Sequence, residues 1–179
     1  MSFSRRVVDA FALTYELHVD QLRKQTEIPY YTHPMAVAAI VAERGGSEDQ
    51  FIAALLHDAV EDQGGEATLA LIRQRFGDRV AEMVAGCSDS FSTPKPPWRD
   101  RKEAFLRRIK QADPDVRLIV AADKLHNARS ILNDLYEHGD LLWSRFKAGK
   151  DGSLWYYAEI VRALSDGWSH PILRELSET

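Results

Sequence analysis

The sequence predicts an all-α fold, and the spacing of its apolar residues is the main reason. Hydrophobic side chains recur with the period of a helix, and the alternation typical of β-strands is not convincing anywhere. We find no internal repeat in the 179 residues. Hydrophobic residues make up 45% and charged residues 28%, which is a globular composition. We therefore expect one helical bundle, a single domain over residues 1–179.

The first half of the chain is predicted to form a series of short helices. The ends of the first three helices are marked by a capping serine, by a proline suited to a first helical turn and by paired glycines. These are predicted at 4–19, 34–45 and 47–63, with an irregular segment at 20–32. Two more short helices are expected at 68–76 and 79–87, on either side of Gly77.

The second half begins with a loop. Residues 88–97 are rich in Ser and Pro, and we interpret them as a functional flap rather than a linker between domains. A basic amphipathic helix is predicted at 98–111, and Pro114 opens a long apolar helix that runs to about residue 137. Two final helices are expected at 154–164 and 171–176.

Composition excludes several classes of protein. A net charge of −4 and a pI near 5.9 do not fit a surface for duplex nucleic acid, although a local basic pocket is compatible with them. The lone cysteine, Cys87, excludes an internal disulfide and is interpreted as a small buried hydrophobe. No apolar run approaches the ~20 residues that span a bilayer, and no signal-peptide pattern is present. We expect a cytoplasmic protein with no membrane partner, and the sequence carries no signal for an oligomeric state.

The most informative segment is an apolar run, 53–56, that leads into two pairs of polar residues. On a continuous helix His57 would lie one turn below Glu61, and Asp58 one turn below Asp62. Buried charge is costly unless it is paired or binds a metal. A divalent cation held by His57 and Asp58, with the acidic pair reaching toward a bound water, would account for the segment. The alternative is an acidic helix end in solvent, with His57 a hydrogen-bonded core histidine.

A second polar cluster lies on the long helix. Its members recur at i, i+4, i+7 and i+11, namely Asp123, Asn127, Ser130 and Asp134. Exposure to water is the simpler interpretation for the last two. It suits Asp123 less well, because apolar residues share its side of the helix. His126 lies off this stripe and is predicted to be a packing or surface histidine.

His33, just before Pro34, is a third candidate at the start of a helix. Taken alone, it is better explained as a cap or packing residue. Together with His57, Asp58 and Asp123 it would form a set of two nitrogen and two oxygen ligands. Such a set suits Mn²⁺, Fe²⁺ or Zn²⁺ better than Ca²⁺ or Mg²⁺, which prefer oxygen ligands.

These motifs, in this order, resemble a known family. The set comprises His33-Pro34, His57-Asp58, Glu61-Asp62 and the run Ala122-Asp123-Lys124-Leu125-His126-Asn127. It is similar to the HD-domain metal-dependent phosphohydrolases, and more narrowly to the hydrolase domain of bifunctional alarmone synthetase/hydrolases and to the stand-alone small alarmone hydrolases. The resemblance covers about residues 20–164. Because the chain has no room for a synthetase or regulatory domain, we expect a stand-alone hydrolase.

The resemblance implies a role for each matching residue. The implied metal ligands are His33, His57, Asp58 and Asp123. The implied catalytic acidic pair is Glu61 and Asp62. The implied substrate-binding residues are Arg23, Lys24, Arg101, Lys102 and Asn127.

The implied activity is Mn²⁺-dependent removal of pyrophosphate from the 3′ position of a guanosine or adenosine alarmone, of the (p)ppGpp or (pp)pApp type. Residues 149–153 depart from the family's usual pattern of nucleotide contacts, and 25–29 is one residue longer than the common form. The base and the number of 5′-phosphates therefore stay open. Two alternatives are an HD phosphohydrolase for other nucleotides, such as 5′-mononucleotides or cyclic dinucleotides, and a non-catalytic nucleotide sensor. The order of the motifs disfavours the first, and the intact acidic pair disfavours the second.

Overall fold

The computed structural model describes residues 3–90 and 94–179. Its helices are α1 (Arg6–His18), α2 (Thr32–Glu43), α3 (Glu48–Leu56), α4 (Ala59–Asp62), α5 (Glu66–Phe76), α6 (Asp78–Cys87), α7 (Trp98–Ile109), α8 (Pro114–His138), α9 (Gly149–Ser165) and α10 (Pro171–Glu178). A 3₁₀ helix, Gly139–Arg145, follows α8. Within the described ranges, β-type pairing is limited to one isolated bridge between Leu22 and Pro29. The all-α prediction is confirmed.

Helix α3 lies at the centre of the fold. Its five consecutive residues 52–56 are fully buried, because α1, α2, α6 and α8 all pack against it. A capping box begins the helix: the Ser47 side chain accepts from the Gln50 amide, and the Gln50 side chain accepts from the Ser47 amide. The apolar run that ends at Leu56 thus delivers the next two residues, His57 and Asp58, directly from the core.

The prediction of one continuous helix through the acidic pairs is wrong. Helix α3 ends at Leu56, and the short α4 begins at Ala59. The His57 ring competes with backbone amides for a hydrogen-bond acceptor of the helix, because its Nδ1 lies 2.8 Å from the carbonyl oxygen of Ala54. Asp58 adopts φ −94° and ψ −9°, the bridge region between helix and strand. The break separates the His57-Asp58 pair from the Glu61-Asp62 pair.

Other boundaries differ by smaller amounts. Helix α1 begins at Arg6, where Ser4 Oγ accepts from the Arg6 amide at 3.2 Å. Helix α9 begins at Gly149, five residues before its predicted start, and the 3₁₀ helix was not predicted. Cys87 is partly buried against the core. The predicted flap is non-helical at 88–90 and 94–97, and its residues 91–93 lie outside the described part. No helix among the described residues is both long and apolar enough to cross a bilayer.

Candidate active site

Three separate elements bring two histidines and two aspartates together. His33 lies in the first turn of α2, His57 and Asp58 lie between α3 and α4, and Asp123 lies on α8. His33 Nε2 is 3.2 Å from Asp123 Oδ1 and 3.5 Å from Asp58 Oδ2. His57 Nε2 is 3.0 Å from Asp58 Oδ2 and 3.8 Å from Asp123 Oδ1. All four side chains therefore face one point.

The protonation of His57 shows what this point requires. A carbonyl oxygen only accepts hydrogen bonds, so His57 Nδ1 must donate to Ala54. Its Nε2 is buried and has no hydrogen-bond partner among the described residues, although a carboxylate oxygen lies nearby. A neutral His57 would direct a lone pair at two carboxylates, and although burial acts in the opposite direction, the charges of Asp58 and Asp123 raise the pKa of this ring well above its usual range. The position beside Nε2 therefore calls for a positive charge, which a proton or a cation can supply. A divalent cation fits this arrangement, since imidazole nitrogens and carboxylate oxygens both donate electron pairs to it.

Both aspartates are held in the ionised form. Burial alone would raise the pKa of Asp58, but the positive charge of a protonated His57 and the nearby His33 ring lower it well below its usual range. Burial would also raise the pKa of Asp123, and there the Lys124 ammonium is the main group that lowers it instead. The site therefore retains two negative charges below the protein surface.

Neighbouring side chains orient these aspartates. The Tyr30 hydroxyl donates to Asp58 Oδ2 at 2.6 Å. Lys124 Nζ lies 2.6 Å from Asp123 Oδ2, and the Asn127 amide donates to Asp123 Oδ1 at 2.5 Å. Sequence reasoning missed Tyr30 and Lys124. The position of Lys124, directly after Asp123, was the one signal available for it.

His126 contacts the cluster from outside. It is half-buried, and its Nδ1 lies 2.8 Å from His33 Nδ1. Burial and the neighbouring His33 ring lower the pKa of His126 to about 4, which keeps its ring neutral at physiological pH. The structure thus places it beside a histidine of the cluster rather than on the polar stripe of α8.

Glu61 and Asp62 follow the cluster on α4. Glu61 Oε1 is 2.9 Å from Lys95 Nζ and 3.6 Å from Arg101 Nη1. Asp62 accepts a hydrogen bond from Gln21 Nε2 at 3.0 Å. Burial and the charge of Asp89 raise the pKa of Glu61, while Lys95 acts in the opposite direction. Glu61 is therefore a carboxyl group suited to gaining and losing a proton nearer neutral pH.

A cavity of about 750 Å³ opens beside the cluster. Nine of the predicted site residues line it, namely Arg23, Lys24, His33, Asp58, Glu61, Asp62, Lys102, Asp123 and Asn127. Its remaining wall includes Tyr156 and Tyr157 of α9, Arg145 and Phe146. Of residues 149–153, Ser153 reaches this wall. The volume is that of a site for a small molecule.

The predicted basic residues are already paired with other groups. Arg23 Nη2 donates to Asn127 Oδ1 at 3.1 Å, and Lys24 Nζ lies 5.8 Å from the centre of the Phe146 ring. Arg101 and Lys102 both bind Asp89, at 2.5 and 2.7 Å. The Asp89 side chain is only 4% exposed, and its role could not be read from the sequence. Lys102 lines the cavity, whereas Arg101 does not line it and lies beside Glu61.

A family model described as HD domain matches residues 10–154. The chain belongs to the HD domain family. Among its relatives, the bifunctional (p)ppGpp synthase/hydrolase SpoT of Escherichia coli K12 is 39% identical over 133 residues. That match covers 71% of this chain but 18% of SpoT, so this HD domain chain spans about a fifth of that relative's length. MESH1 of Xenopus tropicalis, named a guanosine-3′,5′-bis(diphosphate) 3′-pyrophosphohydrolase, is 34% identical over 128 residues, which cover 70% of this chain and 69% of MESH1.

Two solved structures share the HD domain fold. The crystal structure of lmo0812 from Listeria monocytogenes superimposes with a TM-score of 0.72 at 34% identity, over 82% of this chain and 94% of that one. A metazoan ortholog of SpoT that hydrolyses ppGpp superimposes with a TM-score of 0.80 at 24% identity, over 99% and 95% of the two chains. At that identity the second likeness shows the fold alone.

Proposed function

We propose that this chain is a metal-dependent hydrolase that removes pyrophosphate from the 3′ position of a guanosine or adenosine alarmone. One observation carries the proposal: the two histidines and two aspartates converge beside an acidic pair in a cavity lined by basic side chains. The activities named for SpoT and MESH1 support the 3′-pyrophosphate among possible esters.

The proposed metal ligands are His33, His57, Asp58 and Asp123, and the proposed ion is a single Mn²⁺. The two carboxylates suit Mn²⁺, and the two imidazole nitrogens are common ligands of first-row divalent metals. The bound ion supplies positive charge that polarises a phosphoryl oxygen and makes water more acidic. Tyr30 and Lys124 hold the two aspartates through their Oδ2 atoms, which limits how far either carboxylate can rotate.

Glu61 and Asp62 are the proposed acid-base groups. Water attacks the phosphorus atom that is bonded to the 3′ oxygen of the ribose. The bond between this phosphorus and the 3′ oxygen then breaks. Glu61 accepts the proton of the attacking water, which its raised pKa favours. The same pair returns a proton to the departing 3′ oxygen. The products are a nucleotide with a free 3′-hydroxyl and pyrophosphate.

The basic residues would bind the rest of the substrate. Lys102 lines the cavity and Arg101 lies beside Glu61, and we assign this pair to the pyrophosphate. Arg23 and Lys24 also line the cavity and are assigned to the nucleoside. Asn127 is assigned to the sugar, one helical turn beyond Asp123. When the nucleotide binds, its polar groups would replace the side chains with which these residues are now paired.

A substrate panel tests the proposal. The Mn²⁺-loaded protein is incubated with 3′-pyrophosphorylated guanosine and adenosine nucleotides and with 5′-mononucleotides, and released pyrophosphate and phosphate are measured. We expect pyrophosphate from a 3′-pyrophosphorylated nucleotide and no turnover of 5′-mononucleotides. Preference for a 5′-mononucleotide would assign the chain to the other HD phosphohydrolases. Nucleotide binding without any release would make it a sensor.

A further inference from the structure

The two histidines of the cluster are oriented by different kinds of group. Each directs Nε2 toward the carboxylates, so each must be held through Nδ1. For His57 the partner is the Ala54 carbonyl, which fixes the proton on Nδ1 because a carbonyl only accepts. For His33 the partner is another imidazole, His126, at 2.8 Å between the Nδ1 atoms. An imidazole nitrogen can donate or accept, so this contact alone does not fix the proton.

The proposed metal site decides which nitrogen donates. Two lone pairs cannot face each other at 2.8 Å, so one of the two Nδ1 atoms carries the proton. If His126 donated, a neutral His33 would carry its proton on Nε2 and offer no lone pair to the proposed metal. The proton must then lie on His33 Nδ1, and His126 Nδ1 must accept it.

We propose that His126 is a positioning residue that keeps His33 in the tautomer with a bare Nε2. The inference rests on the proposed metal site, and it assigns to His126 the part that the Ala54 carbonyl plays for His57. The ring centres of His33 and His126 are 4.8 Å apart with 42° between their planes, so packing and hydrogen bonding both constrain His33. Loss of such a partner typically weakens metal binding 10–100-fold.

Matched substitutions separate the hydrogen bond from the packing. His126→Asn places an oxygen where the accepting Nδ1 stands, whereas His126→Phe keeps a ring and removes the acceptor. His126→Leu is a second variant without an acceptor, in case the phenyl ring is not accommodated. Thermal unfolding in a chelator first establishes that each variant folds without metal.

The main measurement is the Mn²⁺ dissociation constant of metal-stripped protein. We expect it to rise about 10–100-fold in His126→Phe and His126→Leu, and to stay within about threefold of the unsubstituted protein in His126→Asn. Nitrogen-15 spectra of Zn²⁺-loaded protein, which is diamagnetic, should show the His33 proton on Nδ1 in the unsubstituted protein and in His126→Asn.

Each other outcome has a distinct meaning. Equal Mn²⁺ affinity in His126→Phe, His126→Leu and the unsubstituted protein would overturn the positioning role and leave the metal site intact. An equally large loss in His126→Asn would overturn it too, because the acceptor would then not be what matters. Failure of the unsubstituted protein to bind Mn²⁺ would instead remove the proposed function.

Discussion

Glu61 lies between charges that act on it in opposite directions. Burial and the negative charge of Asp89 favour its protonated form, while the Lys95 ammonium at 2.9 Å favours the carboxylate. Asp89 is itself neutralised by Arg101 and Lys102, which lower its pKa despite its burial. Besides burial, the pKa of Glu61 therefore depends mainly on two residues of the loop before α7, Asp89 and Lys95.

Glu61→Gln should lower kcat by about 10²–10⁴-fold, the usual loss for a positioned acid-base group. The amide keeps the size of the side chain but cannot take up the proton. Metal content should be unchanged, because Glu61 is not among the four residues that converge on the proposed ion. Turnover and bound manganese are measured on the same preparation, and loss of both together would contradict this division of roles.

Lys95→Met should move the acidic limb of the kcat/KM profile to higher pH. The carboxylate form of Glu61 is the active one, so activity falls as the pH drops through its pKa. Lys95 lowers that pKa, and its removal therefore raises it further. Lys110→Met removes the same charge from an exposed residue that does not line the cavity, and it should leave the limb in place. A shift to lower pH in Lys95→Met would refute the assignment.

At the scale of the elements, the periodic segments were predicted well and the breaks were not. The apolar runs of α3 and α8 could be recognised from the sequence because consecutive residues of both helices are buried in the core, at 52–56 and 116–122. The turn at His57 and Asp58 depends on a side-chain bond to the Ala54 carbonyl, and no periodicity encodes that bond. The 3₁₀ helix Gly139–Arg145 was missed for a similar reason, because its one fully buried residue, Leu142, leaves no repeating pattern.

The same limit applies to the site residues. The proposed ligands and the acidic pair form recognisable sequence motifs, and all of them except His57 line one cavity. Lys95 and Asp89 act on Glu61 across 34 and 28 residues of sequence, so their roles depend on how the chain folds back. Tyr30 likewise reaches Asp58 from the irregular segment before α2. No local pattern distinguishes such residues from ordinary surface groups.

Arg117 joins α8 to its neighbours, and Arg117→Met should destabilise the fold by about 3 kcal/mol. Its buried guanidinium donates to four carbonyls, those of Lys110, Ala112, Leu164 and Asp166. Methionine fills a similar volume but leaves these acceptors unpaired. Arg117→Lys, which retains the charge but cannot reach all four, should lose about half as much. Urea unfolding measures both variants, and a loss under about 0.5 kcal/mol in Arg117→Met would contradict the role.

For the molecule as a whole, the proposed metal site would tie together distant parts of the chain. Its proposed ligands come from α2, from the turn between α3 and α4, and from α8, which all meet at the buried core. An unfolded chain cannot hold these residues at one point, so a bound ion stabilises only the folded state. Binding of the ion should therefore be visible in global unfolding, without any substrate.

Mn²⁺ at about a hundred times its dissociation constant should stabilise the metal-stripped protein by about 2.7 kcal/mol. For a chain of this length that corresponds to a rise in Tm of about 5–10 °C. Asp58→Ala and Asp123→Ala should lose the shift, and Glu61→Gln should keep it.

Asp134 offers the decisive control, because it lies with Glu137 and His138 in a second group whose ligand atoms are close enough to share an ion. Asp134 is already paired with Arg145 at 3.1 Å, so Asp134→Ala should retain the shift. A shift that survives Asp58→Ala but is lost in Asp134→Ala would move the metal to that second group.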